Sequence, residues 1–266
     1  MSSQRIYRTE AIIIRRRNQG EADRILTLCT PMGKLAVIAR GARKVRSRKA
    51  GHLELFAHVH LVLARSRSSW DVVSQAETVA PHAALRDDLA RGTYARYVAE
   101  LYDHFVAEGE GNPALFDLMV RVMGYLCREE QLPLLVRGYE QRLLAQVGFR
   151  PEWEQCVGWE DHADGQPLEA TGEQLFGLDP ERGGVLCPQC FRTHRERRGV
   201  VPLSPAALAL LRACQREPFV ALRNWPATPQ LLREVERAAQ HYIAYHLERE
   251  VRSGAFLQRL RREGGI

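Results

Sequence analysis

LELFAHVHLVLA, residues 53–64, alternates in character along its length. Leu53, Leu55, Ala57, Val59, Leu61 and Leu63 share one parity, while Glu54, Phe56, His58, His60 and Val62 share the other. A period of two is the spacing of a β-strand with one face turned to a core. Neighbouring segments carry the same texture. TEAIIIRRR is an apolar run that turns basic, and ADRILTLCT follows it after the turn-like NQGE. PMGK supplies hairpin chemistry through Pro31 and Gly33 before KLAVIAR. WDVVSQAETV gives a fifth strand after RSRSS.

Five short strands packed into so little chain predict a small closed barrel. The five-stranded oligonucleotide/oligosaccharide-binding (OB) barrel is the natural candidate for residues 1–80. At Pro81 the pattern changes to a helical one, with Tyr94, Tyr97, Val98, Leu101 and Phe105 at helical spacing. Asn112 and Pro113 read as the cap and first residue of another helix, and a further helix is expected from about Leu132 to Val147. Residues 149–200 are rich in Gly, Asp and Glu and read as a hairpin-like insert. Helices resume after it: Ser204 is placed to cap one, and Thr228 with Pro229 opens a long one reaching about Arg252. The expected fold class is therefore α+β. An OB barrel at 1–80 precedes an all-α domain at 81–266, which carries the cysteine-containing insert at 149–200.

The chain has 266 residues and a net charge of +6, but the excess is local. Residues 1–80 hold 15 Lys and Arg against 6 Asp and Glu. A cationic end of this kind points to a polyanion partner. Its densest part is RGARKVRSRKAG, with Arg40, Arg43, Lys44, Arg46, Arg48 and Lys49 and no acidic residue. On an OB barrel this stretch joins strands 3 and 4. Arg15, Arg16 and Arg17 lead into the connection between strands 1 and 2, and Arg65 and Arg67 fall in that between 4 and 5. All of these are candidate phosphate contacts, because Lys and Arg displace the counterions condensed on nucleic acid. Gly41, Gly51 and the small residues between them suit a mobile loop. Tyr7, Phe56 and Trp70 are the rings available for stacking on bases. A solvated face kept charged for solubility is the plainer reading of such a run.

Of six cysteines, Cys29, Cys127 and Cys214 sit in apolar or helical patterns as buried thiols. Cys187 and Cys190 form C-P-x-C, a turn that aims two sulfurs at one point, as in half of a zinc ribbon. Cys156 is a third candidate ligand. Three residues beyond it stands Trp159, where a second C-x-x-C would need cysteine. His162 or His194 can supply a nitrogen instead, and zinc is the candidate cofactor. The alternative is a segment that folds by packing alone, around Trp153, Trp159 and Phe176. No phosphate loop, dinucleotide fingerprint, nucleophile elbow or H-E-x-x-H occurs, and nothing nominates a catalytic group. His58 and His60 read as solvent-facing strand positions. The N-terminus lacks a secretory pattern and no apolar run reaches membrane-spanning length, so a cytoplasmic, non-membrane protein is expected.

GEADRILTLCTPMGKLAVIARGARKVRSR resembles the N-terminal segment of the bacterial RecO family of recombination mediators, at Glu21, Asp23, Thr30, Gly33, Gly41, Arg43, Lys44 and Ser47. HLEREVRSGAFLQRL looks like that family's end, at Arg249, Ser253, Phe256 and Leu257, and Gly183–Gly184 before C-P-x-C is also similar. The resemblance implies an OB fold, a helical domain with a zinc-finger-like insert, and no enzymatic activity. It implies binding of single- and double-stranded DNA, strand annealing, and partnership with RecR and with the tail of single-strand-binding protein, so that RecA loads. The other reading kept open is an RNA- or ribosome-associated OB protein.

Overall fold

The structure is a computed structural model that describes residues 6–66, 70–158, 168–170, 172–247, 251, 253, 254, 256, 257 and 259. Five strands form the N-terminal part: β1 (Ile6–Gln19), β2 (Asp23–Thr30), β3 (Gly33–Ala39), β4 (His58–Ala64) and β5 (Asp71–Ala80). They close into a barrel in the order β1-β2-β3-β5-β4, with β4 returning to pair β1. All pairs are antiparallel except β3–β5, where Val37 and Ile38 face Asp71 and Val72. This crossover brings the start of β5 beside the end of β3. The interior is filled from every strand, by residues such as Ile13, Leu26, Val37, Leu61 and Val73.

The alternating stretch behaves differently from its pattern in one respect. Only His58–Ala64 is strand. Phe56 adopts a left-handed backbone (φ 66°), and its N–H donates to the Ile13 carbonyl at 2.8 Å, so the chain turns before the ladder begins. Leu53 and Ala57 still enter the core. The opposite parity is not left to solvent either: Phe56 is 1% exposed and His58 is buried. His58 lies edge-on to Phe116 at 6.0 Å, and its Nε2 is 2.5 Å from Glu10 Oε1. His60 alone of the pair is exposed, as expected.

The chain divides into two compact units. One holds the described residues up to Glu130 together with Phe256, Leu257 and Arg259; the other is Gln131–Gly254. The first unit adds α1 (Ala84–Asp87), α2 (Leu89–Phe105) and α3 (Pro113–Leu126) to the barrel. Asn112 caps α3, its side chain accepting from Leu115 N at 3.1 Å. Lys34 of β3 donates to the Asp103 carbonyl and pairs with its carboxylate at 3.1 Å, which fixes the end of α2 on the barrel. Gly33 (φ 98°) leaves room there for the Glu110 backbone, which any Cβ would strike.

The second unit holds α4 (Leu132–Gln146), a three-stranded sheet of β6 (Phe176–Asp179), β7 (Gly184–Leu186) and β8 (Val201–Leu203), α5 (Pro188–His194), α6 (Pro205–Arg216), α7 (Phe219–Leu222) and α8 (Pro229–Leu247). β6 and β7 form the expected hairpin, and β8 adds a third strand on the other side of β6. α5 and α7 were not anticipated, being too short to show a helical period. Ser204 caps α6 as expected, with its hydroxyl accepting from Ala207 N at 3.1 Å.

Candidate nucleic-acid interface and cysteine site

The basic connection after β3 is not a free loop. It descends through successive turns, with Lys44 N bonded to the Gly41 carbonyl, Ser47 N to Lys44, and Ala50 N to Ser47. Ala42 is sunk into the barrel core at 1% exposure, which anchors the segment from below. Arg43 N donates to the Ala22 carbonyl at 2.8 Å, its guanidinium to Gly20, and Asp23 accepts from Gly41 N at 2.8 Å, all on the β1–β2 turn. At the far end the Lys49 ammonium donates to the Val73 carbonyl of β5 at 2.8 Å. Gly41 takes a left-handed backbone (φ 65°) that lets the chain turn tightly, and Ala42 fills the barrel mouth.

Pinning the backbone pushes the long side chains outward. Arg40, Arg43, Lys44, Arg46 and Arg48 are exposed, and so is Val45 between them. Lys49 is half-buried and committed to Val73; burial lowers its pKa, against the opposing charge of Asp23.

The three arginines that end β1 separate. Register shifts between Ile13 and Arg15, so that Arg15 pairs Thr27, Arg16 pairs Leu26 and Arg17 pairs Ile25. Leu26 points inward, and Arg16 opposite it shares that side. Its guanidinium is bound by the Glu54 carboxylate, which also holds Arg24 at 3.4 Å. Arg16 is thus an exposed cation already paired with a carboxylate. Arg15 remains well exposed, with Asp103 at 3.5 Å. Arg17 lies over the Trp70 ring, 5.6 Å from its centroid, and Arg65 over Tyr7 at 5.2 Å. Arg67 lies outside the described residues. These contacts link all three basic connections: the loop touches the β1–β2 turn and β5, and Arg17 reaches the residue that precedes β5. Glu54 and Arg24 escaped sequence reading, because a lone Glu in an alternating strand pattern gives no sign of its partners.

In the second unit, Cys156, Cys187 and Cys190 bring their sulfurs within 4.8 Å of one another. Cys187 precedes α5, and its sulfur accepts from Cys190 N at 3.4 Å. Cys156 Sγ accepts from Gly158 N at 3.3 Å and from Cys187 N at 3.1 Å. A Cβ at Gly158 would lie 2.8 Å from Cys190 Sγ, so glycine is needed for the chain to pass the sulfurs. Burial raises the Cys156 and Cys190 thiols, and the N–H groups on Cys156 oppose that rise. Three soft donors at this spacing, with N–H groups aimed at sulfur, fit a thiophilic cation, which removes the penalty by taking thiolates. His194, at the far end of α5, is not in that group. Trp159, Asp161 and His162 lie outside the described residues.

The order β1-β2-β3-β5-β4, closed by β4 on β1, defines an OB-fold protein, here with a three-thiol insert in its helical part. The chain matches the family described as "Recombination protein O N terminal" over residues 1–82 and that described as "Recombination protein O C terminal" over residues 86–255. It is 40% identical to the DNA repair protein RecO of Roseiflexus sp. (strain RS-1) over 258 residues, which are 97% of this chain and 87% of that protein. It is 37% identical to the DNA repair protein RecO of Desulforudis audaxviator, covering 96% of this chain and 97% of that one. The corresponding figures for Symbiobacterium thermophilum are 35%, 96% and 98%. The chain belongs to the RecO family. Among the described residues, no helix is long and apolar enough to cross a membrane.

Proposed function

We propose that this chain is a non-catalytic DNA-binding mediator of repair and recombination in the cytoplasm. The observation that carries the reading is the loop of five exposed cations, Arg40, Arg43, Lys44, Arg46 and Arg48, anchored through Ala42 and Lys49 to an OB barrel. In this reading residues 1–80 grip sugar-phosphate strands, single or double, with Arg15, Arg17 and Arg65 extending the grip and Arg67 a further candidate. Screening two polyanions at once lowers their repulsion, which promotes annealing without covalent chemistry. Residues 81–266 then hold the protein contacts: RecR, the tail of single-strand-binding protein, and through them RecA loading. The family membership and the relatives' names support the role in DNA repair and recombination.

Anisotropy titrations of labelled single-stranded DNA and of RNA of the same sequence test it. DNA is expected to bind with a salt dependence that follows its phosphate contacts, and immobilised RecR is expected to retain the protein. Preference for RNA, with co-purification of ribosomes, would favour the ribosome-associated reading instead.

Zinc is the cation proposed for Cys156, Cys187 and Cys190, with His194, one helical turn beyond Cys190, the candidate fourth ligand. Elemental analysis should find about one zinc per chain in the wild type and little in Cys190→Ser. A wild type without metal would leave packing alone to hold the insert.

A further inference from the structure

Three rings were available to meet bases, and the structure separates them. Phe56 is 1% exposed, too deeply buried to meet a base. Tyr7 is half-buried; its hydroxyl donates to Asp71 Oδ2 at 2.6 Å, and the Arg65 guanidinium covers its face. Trp70 keeps 38% of its surface exposed. It stands immediately before β5, where Asp71 is fixed three ways: by pairing with Val37, by the Tyr7 hydroxyl, and by Ser66 N at 2.7 Å. Arg17, on the outer side of β1 opposite Ile25, lies over the indole. The ring is therefore held before any ligand arrives.

We propose that Trp70, steadied by Arg17, is a base-stacking platform that adds affinity for unpaired strands, distinct from the phosphate grip of the 40–48 loop. This rests on the DNA-binding reading above. An unpaired base offers a free π-face to an indole, whereas a base inside a duplex is already stacked on both sides. The Asp71 carboxylate is taken by the Tyr7 hydroxyl and Ser66 N, which leaves the indole itself as the surface offered to a base. The loop presents five exposed cations and attracts phosphate regardless of strandedness. Stacking and charge are thus assigned to different residues and fail separately.

The test compares wild type, Trp70→Ala, Trp70→Phe and the Arg43/Lys44/Arg46/Arg48→Ala variant. The probes are a fluorescein-labelled oligothymidylate and a blunt DNA hairpin, titrated across a range of salt. Trp70→Ala should weaken oligothymidylate binding by about tenfold while changing hairpin binding by less than about twofold, with an unchanged salt slope. Trp70→Phe, which still stacks, should keep most of the affinity. The loop variant should weaken both probes and flatten the slope. Oligothymidylate should also quench indole emission in the wild type, and the quench should vanish in Trp70→Phe, a readout that does not depend on how Trp70→Ala folds. Wild-type affinity in Trp70→Ala, equal loss on both probes, or an undiminished quench in Trp70→Phe overturns the platform. A loop variant that binds like wild type overturns the phosphate grip instead.

Discussion

Glu54 decides how much of the positive charge at the barrel mouth stays free. Its carboxylate takes Arg16 and Arg24 out of the pool of available cations. Glu54→Gln should lower the thermal midpoint slightly, since such half-exposed pairs contribute about 0.2–1 kcal/mol. It should also release guanidinium groups toward DNA, steepening the log–log salt slope by roughly one unit. Weaker DNA binding in this variant would mean that Arg16 and Arg24 do no more than hold the barrel. A second residue-scale effect concerns His82, whose Nδ1–H donates to the Phe56 carbonyl at 2.8 Å. Burial lowers its pKa, partly offset by that hydrogen bond and reinforced by the charges of His58, Arg128 and Arg86. A histidine held neutral in the fold takes up a proton more readily when unfolded. Its contribution to stability is therefore present above the unfolded value of about 6.5 and is lost as pH falls through the lower folded value. His82→Asn, which tolerates the backbone there (φ 42°), should show a shallower fall in urea midpoint between neutral and mildly acid pH. An unchanged fall would place the acid sensitivity elsewhere.

At the scale of elements, caps and anchors matter more than propensity. The Ser204 hydroxyl accepts from Ala207 N and donates to Glu234 Oε2 at 2.9 Å, while its own N–H donates to Glu234 Oε1 at 2.7 Å, which ties α6 to α8. Ser204→Ala should cost about 1–2 kcal/mol, read as a lower melting temperature with an unchanged far-ultraviolet spectrum. A melt within error of wild type would show that Glu234 alone holds the junction. This cap was legible in PLSP before an apolar period, as were Asn112–Pro113 and all five barrel strands. What escaped was set by contacts distant in sequence. The register shift at Ile13–Arg15 sets Arg16 opposite Leu26, and an unbroken IIIRRR run contains no alternation from which to foresee it. The left-handed turn at Phe56 likewise follows from its hydrogen bond to Ile13, many residues earlier. The C-P-x-C half-site and Cys156 were legible from spacing. His194 follows Cys190 by one helical turn of α5, and its ring is not among the donors that lie within 4.8 Å of one another.

Across the whole molecule, the uneven charge is the feature that fold and function share. The barrel's share of the chain is strongly cationic, and the structure spends part of that excess internally, on Glu54, Asp103 and the Val73 carbonyl. Five of the remaining cations project from one anchored connection. If that connection is the grip, affinity must follow counterion release rather than sequence. With about five phosphates engaged, the log–log salt slope should be roughly −3.5 for single strands and −4.5 for duplex. The most direct measurement is therefore a salt-dependent DNA titration of the wild type beside the Arg43/Lys44/Arg46/Arg48→Ala variant. The account predicts weaker binding in the variant and a slope shallower by roughly 3 units. Equal affinity and equal slope for the two proteins would contradict it.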